Sequence, residues 1–133
     1  MQLWKSVSLV ALLAVVADCR DSNATLTPIV LGVSSVAAPS SISSGEPIDV
    51  TLNVQVGGCL AFDRLEVRRS DSGATMVAWG HDITEGIEDR GIACTRMVDE
   101  AHAYSFDPPF ANTFTISVAR GRLGPLITTV AVH

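Results

Sequence analysis

Lysine is nearly missing from this sequence: Lys5 is the only one. Cationic charge after it comes from eight scattered arginines, and the formal net charge is −5. No basic stripe exists to neutralise a phosphate backbone, so nucleic acid is not an expected partner. Aromatics make up only 5% of the chain. There are three cysteines and no C-x2-C pair, which argues against a zinc-finger site. The three histidines, His81, His102 and His133, form no H-E-x-x-H. Neither G-x-S-x-G, a P-loop nor a G-x-G-x-x-G opening a helix occurs, so no nucleophile elbow and no nucleotide cofactor is implied. No apolar run reaches the roughly 20 residues of a membrane-spanning helix. Internal repeats and heptads are absent as well.

The most informative stretch that is present lies at the start. Val7 to Ala17 is apolar apart from Ser8, and Lys5 precedes it. A positive start, about 7 to 15 apolar residues and small residues before a cut make an export signal. A signal over residues 1–18 is therefore expected, placing the rest of the chain outside the cytoplasm. Two cuts fit. Val15 and Ala17 suit a general signal peptidase, giving a mature start at Asp18 and a soluble periplasmic or secreted product. Alternatively, Val16-Ala17-Asp18-Cys19 resembles the bacterial lipobox, in which the cysteine is lipidated and becomes the new N-terminus. Asp18 departs from that motif, which has Gly, Ala or Ser there. Cysteine arithmetic favours lipidation: if Cys59 and Cys94 pair, Cys19 is left over, and a lipid removes the odd thiol. Residues 19–28, polar and small, then read as a tether.

Residues 29–133 read as one all-β domain. Ile48, Val50, Leu52, Val54 and Val56 alternate with Asp49, Thr51, Asn53 and Gln55, the period of a half-buried strand. Ile29 to Ala38 predicts an earlier strand, closed by the Pro39 to Pro47 turn. Leu60 to Arg69 predicts the next one. Phe62 and Leu65 have opposite parity there, which predicts a bulge near Asp63-Arg64. Ser70-Asp71-Ser72-Gly73 predicts a hairpin turn into Ala74 to Gly80. Further strands are expected over Gly91 to Val98, Ala101 to Phe106, Phe114 to Ala119 and Leu126 to Val132. Turns are expected at Asp99-Glu100, at Asp107-Pro108-Pro109 and over Arg120 to Pro125. Seven to eight short strands without a convincing helix argue an antiparallel two-sheet β-sandwich, with a small closed barrel as the alternative.

Pro39-x5-Gly45-x-Pro47 before an alternating strand resembles the opening of bacterial immunoglobulin-like or fibronectin type III-like envelope domains. Asn112 to Val118 is similar to their penultimate strand, with Phe114 where a tyrosine is usual. Cys59, Trp79 and Cys94 do not have the antibody Cys–Trp–Cys spacing. The resemblance implies an immunoglobulin-like architecture and no particular binding site.

Few residues suggest chemistry. In an exported small domain, Cys59 and Cys94 are expected to form a disulfide. Asp82, Glu85, Glu88 and Asp89 flank Gly86 and offer a weak calcium candidate; a solvated acidic loop is the plainer reading. His81, Asp82 and Glu85 could serve a small metal-dependent hydrolase, the least favoured reading. Arg120 and Arg122 flank Gly121 in a turn and could meet a carboxylate or a sulfated glycan. The function expected is that of an exported, lipid-anchored, non-enzymatic envelope protein with a binding or structural role. No cofactor is expected; the partner is an envelope protein or glycan, and the membrane through the lipid on Cys19. The alternative is a secreted inhibitor or adhesion module acting through its end loops.

Overall fold

The computed structural model describes residues 26–87 and 91–133. The signal, Cys19 and most of the tether lie outside the described residues, as do Glu88 and Asp89. Among the described residues there are nine strands: β1 (Ile29–Val30), β2 (Val33–Ala37), β3 (Ser41–Ile42), β4 (Ile48–Val56), β5 (Leu60–Ser70), β6 (Gly73–Asp82), β7 (Val98–Phe106), β8 (Thr113–Arg120) and β9 (Leu123–Val132). They form two sheets. In the larger, β6 pairs with β5 on one side and with both β1 and β8 on the other; β9 and then β3 follow β8. The smaller has the order β2-β4-β7. The chain is an all-β, two-sheet sandwich.

β4 shows why the sheets face each other. Its apolar set, Ile48, Val50, Leu52, Val54 and Val56, is buried, while Asp49, Thr51 and Gln55 are exposed. Across the core stand Ala74, Met76 and Ala78 of β6 and Phe114, Ile116 and Val118 of β8, all buried. These are every-second residues, so each strand turns one face inward and the two inner faces meet as one apolar layer. Phe106 and Phe110 pack on Phe114, with ring centroids 5.2 and 5.0 Å away.

The strand expected over Ile29 to Ala38 is two strands in two sheets. Leu31 N–H donates to the Ala78 carbonyl of the larger sheet at 2.8 Å. The carbonyl of the next residue, Gly32, accepts from Gln55 N–H of the smaller sheet at 2.9 Å. The chain thus changes sheets within two residues, and Leu31 is fully buried at the crossing. It crosses back for β3, which runs parallel to the end of β9. β6 and β8 are also parallel, with Gly73 opposite Thr115 and Met76 opposite Val118; every other pairing is antiparallel.

Other elements fall close to expectation. The ladder shifts between Phe62 and Arg64, so Asp63 is the extra residue and Phe62 and Leu65 both pack against the core. Ser70 and Gly73 close the expected hairpin. Three stretches differ. Asp99-Glu100 is not a turn: Asp99 pairs with Gln55 and Glu100 with Val54 inside β7. β7 is an edge strand, so its charges stay in solvent there. Residues 91–97 are irregular rather than a strand, and pairing starts at Val98. The last turn is shorter than expected, with Arg120 opposite Leu123; Gly124 and Pro125 sit in a bulge of β9, where proline needs no ladder partner. His133 is tied down by its backbone, donating to Ile42 O at 3.1 Å and accepting from Ser44 N–H.

Candidate functional site

The strand directions gather the candidate residues at one end of the sandwich. β6 runs toward Asp82 and the acidic loop, and β8 runs parallel to it toward the Gly121-Arg122 turn. β4 ends and β5 begins at this end, joined through Gly57, Gly58 and Cys59. The acidic loop and the arginine turn, far apart in sequence, therefore share the end that carries the disulfide.

Its base is a tight hairpin. Gly57 and Leu60 exchange both backbone hydrogen bonds at 2.9 Å, leaving Gly58 and Cys59 as the central pair. Their φ values are 57° and 68°, the two left-handed residues of a type I′ turn. Cys59 is the one described non-glycine residue with positive φ, and it is buried. It is bonded to Cys94, with Cα atoms 4.8 Å apart. Segment 91–97 is laid across the turn by that bond and by Gly58 N–H donating to Thr95 O at 2.7 Å. Gly57 must lack a side chain, because a Cβ there would stand 2.3 Å from the Arg96 carbonyl oxygen.

The acidic loop spends its described carboxylates locally. Asp82 accepts from Thr84 N–H at 2.8 Å and from Thr84 Oγ1 at 2.6 Å. The side-chain bond from Thr84 is the main reason its carboxyl is held below the usual range, and the backbone bond is the second. Glu85 accepts from Thr27 N–H at 2.8 Å and from the Thr27 hydroxyl, fastening the start of the described chain to the loop. His81 turns to Asp63, 2.7 Å away, and His102 to Glu100, also 2.7 Å away, with its ring stacked on Phe62. His81, Asp82 and Glu85 each face a different partner. Among the described residues no group of three His, Cys, Asp or Glu is placed to hold a metal.

Arg120 and Arg122 are not presented as a pair. Arg120 Nε donates back to Gly124 O within its own hairpin at 2.6 Å, while Arg122 is exposed at the tip.

Two surface features escaped the sequence reading. The first is a shallow groove of about 690 Å³ on the outer face of the larger sheet, lined by Arg68, Ser70, Thr75, Thr113, Thr115 and Ser117 among others. The outward parity of β8 signals its hydroxyls, but their meeting with β5 and β6 depends on the parallel β6–β8 ladder. The second is the apolar character of the disulfide end. Among the described residues nine large hydrophobic side chains are exposed, and seven belong to this end: Leu26, Ile83, Ile87, Ile92, Met97, Val98 and Leu123.

No protein-family model, no curated protein and no solved structure matches the chain.

Proposed function

We propose that this chain is an exported, lipid-tethered, immunoglobulin-like envelope domain with a non-enzymatic binding or structural role. The observation that carries the reading is the Cys59–Cys94 disulfide. Structural disulfides persist in oxidising compartments, and here the bond fastens an irregular loop to a small sandwich. The signal-like run before Cys19 agrees with such a compartment, and lipidation accounts for the third cysteine. The two facing sheets support the immunoglobulin-like assignment, with the parallel β6–β8 ladder as a departure from the antiparallel sheets of that class. A binding role is supported by the apolar disulfide end and by the groove on the outer face of the larger sheet. The separate partners of His81, Asp82 and Glu85 favour this reading over a metal-dependent hydrolase.

Intact-mass analysis of protein made in an exporting bacterial host, with fatty-acid labelling and membrane fractionation, tests it. The expected product begins at an acylated Cys19, carries one disulfide and partitions with membranes. A soluble product cut before Asp18 would favour the secreted inhibitor or adhesion module. An uncut chain with three reduced thiols would overturn export altogether.

A further inference from the structure

We infer that the disulfide end of the sandwich is a membrane-facing surface, resting its exposed aliphatic side chains in the headgroup region of a lipid bilayer. The inference rests on the proposed lipidation of Cys19.

Three observations lead to it. Ile83, Ile87, Ile92, Met97 and Leu123 are between 42% and 66% exposed, although they belong to loops and a strand end that could have carried polar residues. Large aliphatics concentrated at one end mark an interaction surface. Next, the chain enters the sandwich at this end. Thr27 is bonded to Glu85, and Ile29 pairs with Gly80 near the end of β6. Leu26 is seven residues beyond Cys19 (26 − 19), a reach of at most about 25 Å even when fully extended. A lipid on Cys19 therefore holds this end beside the bilayer. The opposite end, with the Asp71-Ser72 turn, lies a β6 length farther away, about 30 Å.

The third observation is charge. Asp63, Asp82, Glu85, Asp99 and Glu100 stand near this end with Arg64, Arg96, Arg120 and Arg122, so neither sign dominates among the described residues. Asp82, Glu85 and Glu100 already have hydrogen-bond partners. Attraction to anionic lipid is thus not the driving force. Burial of the aliphatic side chains is, and an uncharged, zwitterionic surface suffices.

The test is hydrogen-exchange mass spectrometry on the full processed protein, with and without phosphatidylcholine vesicles. Intact mass first records whether Cys19 is acylated, which judges the tether separately. Peptides covering 83–87 and 91–98 should exchange more slowly with vesicles, while those covering 107–112 stay unchanged. An Ile87→Ser, Ile92→Ser, Leu123→Ser variant, altered only at exposed positions, should lose that protection and keep its melting temperature. On an unlipidated Cys19→Ser chain, the same three changes should lower vesicle partitioning at least tenfold. Equal exchange with and without vesicles on an acylated protein would overturn the membrane-facing surface and leave the tether standing. Protection that needs no vesicles and rises with protein concentration, together with a doubled mass in solution, would assign the surface to a second copy and overturn it too.

Discussion

Replacing both bonded cysteines, as Cys59→Ala with Cys94→Ala, tests how far the disulfide end depends on its covalent tie. The bond closes a loop of 35 positions. In the loop-entropy model, forbidding that loop to open in the unfolded chain contributes about 4 kcal/mol. Few other contacts do the same work. β5 and β6 are a local hairpin that the bond does not need. Segment 91–97 lies outside the strands, and besides the disulfide Gly58 N–H ties it to the Gly57–Cys59 turn by donating to Thr95 O. Alanine at position 59 keeps the strain of the left-handed φ, so that term cancels between the two proteins. Urea unfolding followed by circular dichroism is the assay. With a slope of about 2 kcal/mol per molar, a loss of about 4 kcal/mol lowers the midpoint by about 2 M. Reduced wild-type protein should behave in the same way. A loss under about 1 kcal/mol in both would refute the reasoning: loop 60–93 would then already be confined in the unfolded chain.

Phe114→Ala should cost about 3 to 5 kcal/mol in the same assay, because Phe114 is fully buried between Phe106 and Phe110. Gly57→Ala should destabilise more than Gly45→Ala. Both glycines have φ above 90°, but an added Cβ meets the Arg96 carbonyl at 2.3 Å in the first and open space in the second; melting temperatures of the two variants decide it. Asp82 has a lowered folded-state pKa, so its contribution to stability is present above the ordinary carboxylate range and is lost as pH falls through the folded value. Thr84→Ala should bring the Asp82 titration, followed by NMR, back toward that ordinary range. Arg120→Ala with Arg122→Ala should change stability by no more than about 1 kcal/mol, since the Arg120 bond to Gly124 O is an exposed one; calorimetry checks it.

Much of the sandwich was legible because its strands carry their own pattern. Alternation in β4 and β8 named the buried faces residue by residue, since the side-chain period of a strand is two. The clash of parity between Phe62 and Leu65 placed a bulge near Asp63-Arg64, and the ladder puts the extra residue at Asp63. Asp99-Glu100 misled because charged pairs mark turns when read locally, and only their place on the outer strand of the smaller sheet shows why charge is tolerated there. The same limit hid the switch at Leu31-Gly32: an unbroken apolar run looks identical whether its residues serve one sheet or two.

For the candidate residues the division is similar. Cys59 and Cys94 could be paired on the expectation of export, because small domains that mature in an oxidising compartment commonly carry a staple, and the structure has that bond. Strand identity, core faces and the disulfide were therefore written in local composition and spacing. The company each loop keeps was not. That the arginine turn with Leu123 meets the acidic loop follows from β8 running parallel to β6, while the β4–β7 ladder, the disulfide and the Thr27–Glu85 bond bring the other exposed aliphatics to that end, and such strand order is a property of long-range pairing. Such pairing depends on which edges are free once neighbouring strands have docked, so no short stretch of sequence encodes it.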